Sequence, residues 1–511
     1  MVSPLKAQVF ARKLASHPDQ SAVRFVLDGL RSGFRLGFDY SRKLKSAKKN
    51  KPSADQHAEV IHPYVVNEVS LGRVLGPFPS PPLPNLQVSS FGVTPKRGQP
   101  GKWRLIVDLS SPGGLSVNDG INPEDFALQY ITVDQIISMV SKFGRGALMA
   151  KFHEEAAYRN IAVHPSDRYL LGMRWRNQFY VDLALPFGIR STPHIFNSVA
   201  DMAEWILIHF HNVPDLLHYL DDFITPGPPN SDQCARNLDT SVTVCNSLGL
   251  PLHPDKCLGP SSVLVVLGIE LDSNEQVARL LADKFVALQQ LITLWLSRCW
   301  CTRNQLESLI GHLHHAAKVV WPACTFLRCM INLLRCFCRD DHPIRLNSEF
   351  KLDLQWWHQF LSSWHGVCFW LFPSMSATPD LKVTSDASGS IGFGAFFQGA
   401  WFNGSWVSSQ ACQSIAYKEL FPVVLAARIW GPQWSRKHVL FRYDNEAVVH
   451  ILNSRTSKIP CLMRLLRHLL ASAAHFNFSF ASHHVPGVCK IETNVQMCLG
   501  RNHDAVKISI N

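Results

Sequence analysis

His218-Tyr219-Leu220-Asp221-Asp222-Phe223-Ile224 sets two adjacent carboxylates among aromatic and β-branched residues, and Thr225-Pro226-Gly227-Pro228-Pro229 follows. This pattern predicts a hairpin with the acidic pair at its tip, closed downstream by the proline-rich run. Adjacent carboxylates repel each other. A hard divalent cation such as Mg²⁺ or Mn²⁺ removes that cost through oxygen ligation. A solvated Asp-Asp turn satisfies the same seven residues, so the flanking segments have to decide.

The whole chain narrows the choice. At 511 residues it is too long for one ordinary core and suggests two to four domains. Hydrophobic residues make up 46% and charged residues 17%, the balance of a folded protein. A net charge of +11 favours a polyanionic partner such as nucleic acid. Fourteen cysteines form no CxxC pair. With no secretory signal, that predicts reduced thiols in an intracellular protein of the cytoplasm or nucleus. No apolar run reaches the ~18 residues of a membrane span.

From the N-terminus, residues 19–37 predict an amphipathic helix through Val23, Phe25, Val26, Leu27 and Leu30. Basic residues from Arg42 to Lys51 read as a solvated linker or a phosphate-tracking patch, and Gly76 to Pro84 as an extended connection. A β-hairpin is expected from Phe91-Gly-Val-Thr-Pro-Lys96 and Lys102-Trp-Arg104-Leu-Ile-Val-Asp108. It presents Lys96, Lys102 and Arg104, cations suited to a triphosphate or simply to an exposed strand. Ala150 to Ile161 reads as strand into helix, and Tyr169–Trp175 with Gln178–Leu183 as a strand pair. A Leu185-Pro186-Phe187-Gly188 turn then opens a helix over residues 193–210, and its glycine lets backbone approach a ligand closely. A helix over 231–248, His253-Pro254-Asp255-Lys256 and a strand over 265–269 complete this half.

The order of hairpin cations, Ala157-Tyr158, the LPFG turn and the YLDD hairpin resembles the fingers and palm of reverse transcriptases. The segments AYRNIAVHPSDRYLLGMRW, LPFGIRSTPHIFN and LGLPLHPDK resemble most the DIRS-type and related retroelements. The resemblance implies that Asp221 and Asp222 hold metal and that Lys96, Lys102 and Arg104 meet nucleotide phosphates. It sets Tyr158 against the sugar, Gly188 against template and nucleotide, and Lys256 near the leaving pyrophosphate. One position departs from the family. The third metal-binding carboxylate belongs four residues before Ala157, where this chain has His153. An imidazole prefers nitrogen-seeking metals, so a well-shaped but impaired polymerase site is expected. Glu154 would point to the opposite strand face.

Helical periodicity continues over 281–295, 305–317, 324–334 and 350–364, resembling a thumb and connection. His312, His314 and His315 near Cys324, Cys329, Cys336 and Cys338 match no standard zinc spacing, and Trp356-Trp357 reads as core. Beyond them, Leu381–Asp386, Gly389–Phe397, Ala400–Val407 and Val439–Asp444 predict strands, with helices over 414–429 and 447–452. The blocks SDAS, YKEL and YDNE resemble ribonuclease H. Asp386, Glu419 and Asp444 are thereby implied as metal ligands, and His484 as the histidine near the scissile phosphate. At the place of the fourth family aspartate, ungapped counting puts Asn494 and aligning Leu499-Gly-Arg501 puts Met497, neither a carboxylate, so this site is expected to be weakened, less damaged than the first.

The expected fold is multidomain α/β and α+β: an N-terminal helical extension and linker over 1–85, reverse transcriptase fingers and palm over 86–275, a helical thumb or connection over 276–378, and a ribonuclease H-like mixed sheet over 379–511. The implied activity is RNA-directed DNA polymerase with ribonuclease H, using Mg²⁺ or Mn²⁺, two ions per active site. RNA template, RNA/DNA hybrid and dNTPs are the implied partners. A catalytically decayed nucleic-acid-binding descendant is the alternative.

Overall fold

Short runs rich in valine, isoleucine and aromatic residues become strands, separated by glycine, proline and asparagine. The computed structural model describes residues 1, 3–47, 49–95, 101–320, 323–339, 342–364, 366–370 and 381–485. The chain divides into two compact units, one of residues 1–131 with 146–261 and one of 132–145 with 262–511.

The first unit contains β1 (Val74–Phe78), β2 (Val88–Pro95), β3 (Trp103–Asp108), β4 (Leu148–His153), β5 (Gly172–Trp175), β6 (Gln178–Asp182), β7 (Leu217–Tyr219), β8 (Asp222–Gly227) and β9 (Leu258–Ser261). They form two sheets, ordered β1-β6-β5-β2-β3 and β7-β8-β4-β9. In the four-stranded sheet β4 runs antiparallel to β8, pairing Phe152 with Phe223 and His153 with Asp222. Strand alternation separates the two pairs. Phe152 and Phe223 are fully buried and stacked, with centroids 4.9 Å apart. They join a core with Ile195, Phe196 and Val199 of the helix Thr192–His211. His153 and Asp222 consequently point to the other face.

Several expected boundaries shift for local reasons. The first amphipathic helix spans Gln20–Ser32, because the Asp19 side chain caps its start and Gly33, at φ 87°, ends it. Val74–Phe78, partly inside the expected proline-rich connection, is a strand paired with β6. No α-helix follows β4. Ala156 turns left-handed at φ 53° and a 3₁₀ turn, Ala157–Asn160, takes its place. Residues 165–170 form another 3₁₀ turn, so β5 starts only at Gly172. Thr225, Pro226 and Gly227 belong to β8 rather than to a closing turn. β7 pairs only with Asp222, Phe223 and Ile224. The far half of β8 is therefore open on that side and tolerates a residue without an N–H.

The second unit contains β10 (Val263–Val266), β11 (Ile269–Asp272), β12 (Val277–Leu280), β13 (Trp300–Cys301), β14 (Ile344–Arg345), β15 (Val367–Phe369), β16 (Leu381–Ala387), β17 (Gly392–Phe397), β18 (Ala400–Ser405), β19 (His438–Tyr443) and β20 (Ser479–His484). The expected strand over 265–269 is split by a turn at Leu267, φ 51°, and Gly268, φ 75°: Val265 and Val266 end β10 and Ile269 opens β11. A five-stranded mixed sheet has the order β18-β17-β16-β19-β20, an antiparallel meander extended by two parallel strands. The helix Ile415–Trp430 packs on β16 and β17. The helix Pro460–Phe476 and β20 lie outside the elements expected from sequence, although Leu462, Leu465, Leu466 and Leu469 recur at helical spacing.

The expected helices appear at Ala282–Leu296, Arg303–Ala317, Arg328–Leu334 and Ser348–Ser363. Trp357 is fully buried and Trp356 stacks on Phe326 at 3.5 Å, so both are core. His315 lies 3.3 Å from the Lys284 amine, and burial beside that charge pushes its pKa down to about 4. A buried guanidinium ties helices together here. Arg467 donates to Asp353 at 2.9 Å and to Glu349 at 3.1 Å, and its Nη2 lies 3.5 Å from the Cys329 sulfur. Among the described residues no helix is long and apolar enough to cross a membrane.

Candidate active sites

The turn Leu220-Asp221 joins β7 to β8, and Leu220 adopts φ 53°. That conformation costs an ordinary side chain roughly 1–2 kcal/mol, so the surrounding fold must hold it. One restraint is visible: the Glu154 N–H donates to the Asp221 carbonyl at 3.0 Å, tying the turn to the end of β4. His153 Nδ1 lies 2.7 Å from Asp222 Oδ1, and its Nε2 lies 3.5 Å from Asp221 Oδ2. One ligand-type atom from each of these three residues falls within 4.8 Å of the others. Residue 153 therefore lies against the tandem aspartates. Burial raises the Asp221 carboxyl above its ordinary range. His153 pulls it back, Asp222 pushes it up again, and Lys256 lowers it.

The donor set does not suit two magnesium ions. Magnesium takes oxygen ligands, and a carboxylate can share its two oxygens between ions. An imidazole nitrogen has one lone pair and cannot bridge.

Glu154, expected to face away, is buried with 1% exposure, and its Oε1 has no hydrogen-bond partner. Burial and the nearby Asp221 charge push its pKa up to about 8, from an ordinary 4.5. The folded chain then keeps a proton that the unfolded chain releases. The contribution of Glu154 to stability is fully present below pH ~4.5, is lost as pH rises to about 8, and is gone above that. Glu154→Gln is expected to flatten a slope that reaches at most about 1.4 kcal/mol per pH unit. Denaturant midpoints at pH 5 and pH 8 measure it, and an unchanged slope in the variant would assign the effect to another group.

Tyr158 is half-buried against Phe187 and Phe196, with centroids 5.2 and 5.4 Å away. Burial, then the Asp221 charge, pushes its pKa up to about 12. Its phenol is thus within electrostatic range of the trio, as is the exposed Lys256 at the end of a 3₁₀ turn. Gly188 sits at φ 96°, where a Cβ would lie 3.4 Å from the Val107 carbonyl oxygen of β3. Its own carbonyl accepts from Asn118 Nδ2 at 2.8 Å, a contact that sequence reading missed. Lys102 and Arg104 are exposed on the β2–β3 hairpin, in the other sheet of this unit. Lys96 lies outside the described residues.

In the second unit, β16 and β19 run parallel, pairing Leu381 with Val439 through Thr384 with Arg442. Continuing that register brings Asp386 level with Asp444. Tyr443 pairs with His484 on β20, and His484 Nε2 lies 3.2 Å from the Asp444 carbonyl oxygen. Glu419 projects from the helix Ile415–Trp430. Burial raises the Tyr443 phenol, Ser385 lowers it and the Glu419 charge raises it again, so Glu419 reaches the β16–β19 pair. Asp386 and Asp444 thus lie at the same end of the mixed sheet, with Glu419 on the adjoining helix and His484 beside Asp444, but among the described residues these acids do not form a group with ligand atoms within 4.8 Å of one another, as His153, Asp221 and Asp222 do. The neighbouring Lys418 is buried, donating to the Gly389 and Ala411 carbonyls at 2.6 Å, which fixes the helix against the meander. Asn494 lies outside the described residues.

A buried ion cluster in the first unit also escaped sequence reading. Arg159 donates to Glu68 at 2.7 and 2.9 Å and to Asp182 at 2.7 Å.

No protein-family model matches the chain. It is 26% identical over 174 residues to the retrovirus-related Pol polyprotein from transposon 412 of Drosophila melanogaster, 32% of this chain and 12% of that protein. It is 19% identical over 384 residues to polyprotein P3 of Commelina yellow mottle virus, 72% of this chain. The chain thus spans 12% and 18% of the two polyproteins' own lengths. A foamy viral protease-reverse transcriptase solved with RNA/DNA hybrid superposes with TM-score 0.51 at 12% identity, covering 99% of this chain and 66% of that one. The dRH form of that protein, solved with double-stranded DNA, gives TM-score 0.50 at 14% identity, covering 94% and 82%. The chain has the multidomain fold of a reverse transcriptase with a ribonuclease H-like mixed sheet, and its sequence is similar to a retrovirus-related transposon Pol polyprotein and to a viral polyprotein.

Proposed function

We propose that the chain is the reverse transcriptase–ribonuclease H portion of a DIRS-type or related retroelement polyprotein, acting on RNA/DNA hybrids with an impaired polymerase site. The observation that supports this reading is the β4–β8 pairing, which sets the His153 imidazole 2.7 Å from Asp222, where the resemblance would have a metal-binding carboxylate. Fingers and palm are assigned to 86–275, thumb or connection to 276–378 and ribonuclease H to 379–511. Lys96, Lys102 and Arg104 would bind dNTP phosphates, Tyr158 and Gly188 would shape the nucleotide pocket, and Lys256 would stand by the departing pyrophosphate. In the ribonuclease H sheet, Asp386, Glu419 and Asp444 would hold Mg²⁺, which supplies charge neutralisation and an activated water. His484, hydrogen-bonded beside Asp444, would position a proton near the cleaved strand.

Hybrid cleavage and primer extension in Mg²⁺ and in Mn²⁺ test the reading. The natural sequence is expected to cleave RNA in a hybrid and to extend a primer poorly. Asp444→Asn is expected to lose roughly 10²-fold or more of the cleavage while still binding hybrid. Robust extension by the natural sequence would overturn the impairment. His153 also favours a second reading, a decayed nucleic-acid-binding remnant. Tight hybrid binding with no cleavage would select it.

A further inference from the structure

We infer that His153, Asp221 and Asp222 form a centre for one borderline transition-metal ion, of the zinc or cobalt class, in place of a magnesium pair. The inference takes the location of the trio from the polymerase reading above, but its chemistry from the trio alone.

Three observations support it. First, His153 Nδ1 stands 2.7 Å from Asp222 Oδ1, which selects the tautomer with the proton on Nδ1 and leaves the Nε2 lone pair free. A histidine whose far nitrogen donates to a carboxylate is the usual arrangement of a metal-bound imidazole. Second, Nε2 lies 3.5 Å from Asp221 Oδ2, beyond ordinary hydrogen-bond length. Two ligands at about 2.0–2.1 Å from an ion and at the tetrahedral angle stand about 3.4 Å apart. The existing gap is therefore close to the span of two such ligands. Third, the position of Asp221 is set by the Leu220 backbone and by the Glu154 N–H, so the oxygen is held in place.

The choice of ion follows from the donors. Nitrogen ligation favours the later divalent metals over magnesium, which keeps its water shell and prefers oxygen. One lone pair serves one ion. With a neutral imidazole, the two carboxylates balance a single 2+ charge, Asp221 as a ligand and Asp222 from the far side of the ring, where it accepts from Nδ1–H and orients the imidazole. Water or a nucleic-acid phosphate oxygen can take the open positions.

Cobalt titration of the full chain tests this, read by the visible absorption bands that tetrahedral Co²⁺ shows and six-coordinate Co²⁺ nearly lacks. One equivalent is expected to bind with those bands and to resist millimolar magnesium. His153→Ala and His153→Gln are expected to weaken that equivalent at least 10-fold. His153→Asp is expected to lose the bands while gaining magnesium binding. All variants keep the same cysteines, so cobalt on thiols contributes equally to each and cancels in the comparison. Hybrid binding and thermal melting confirm that each variant is folded. Equal bands and affinity in the natural chain and in both His153→Ala and His153→Gln would overturn the inference, as would displacement of cobalt by magnesium. If His153→Asp gains no primer extension while the cobalt signature depends on His153, the polymerase reading fails and this one stands.

Discussion

His153→Asp is expected to raise magnesium-dependent primer extension by roughly 10³-fold, equivalent to about 4 kcal/mol of transition-state stabilisation. The backbone needs no change. Residue 153 ends β4 directly opposite Asp222, and its side chain already points at both aspartates. Aspartate at that position supplies oxygens that two ions can share and removes the imidazole that occupies Asp222. The substitution also carries a cost that serves as a control. Three carboxylates repel one another without metal, so the variant should melt lower than the natural chain in chelator and gain more from added magnesium. Single-nucleotide extension rates under saturating primer-template measure the main effect. Equal rates for the two proteins would show that position 153 does not limit the chemistry.

Arg159→Met is expected to destabilise the first unit by about 3–5 kcal/mol. Arg159 is 5% exposed and grips Glu68 and Asp182, which are 4% and 5% exposed. Burial drives the Asp182 carboxyl up, the guanidinium and its hydrogen bond pull it down, and Glu68 pushes it up again. Methionine fills similar volume but strands two acids, with Arg73, 3.6 Å from Glu68, left nearby. Chemical denaturation of the full chain measures the loss. Adding Glu68→Gln and Asp182→Asn should restore part of it, because the penalty belongs to the unpaired charges. No rescue would assign the loss to packing instead.

The parts of this molecule that were legible in sequence are those set by near neighbours. Aromatic and β-branched flanks marked the Asp221–Asp222 hairpin, and strand alternation set His153 and Glu154 on opposite faces. Four of the five strands of the ribonuclease H-like sheet, β16 to β19, were legible, and β20 was not. Contacts across long separations were not legible. Glu68, Arg159 and Asp182 lie far apart in the chain, and none signals its partners. Strand alternation sets Glu154 on the face opposite His153, but its burial without a partner for Oε1 depends on the fold around it. The continuation of β8 through Pro226 depends on the short reach of β7, a property of the neighbouring strand. The Ala156 turn replaced an expected helix because one left-handed residue is set by its surroundings, which no local propensity reports.

The Arg467 cluster has a consequence for modularity. Its guanidinium, from the long helix behind the mixed sheet, holds Asp353 and Glu349 on the helix Ser348–Ser363, and Asp353 is fully buried. Cutting the chain near residue 378 would leave that acid without its counter-ion on the amputated face. The C-terminal sheet is therefore not a cassette that can be clipped off or grafted elsewhere unaltered. A lineage that discarded it would first have to neutralise position 353.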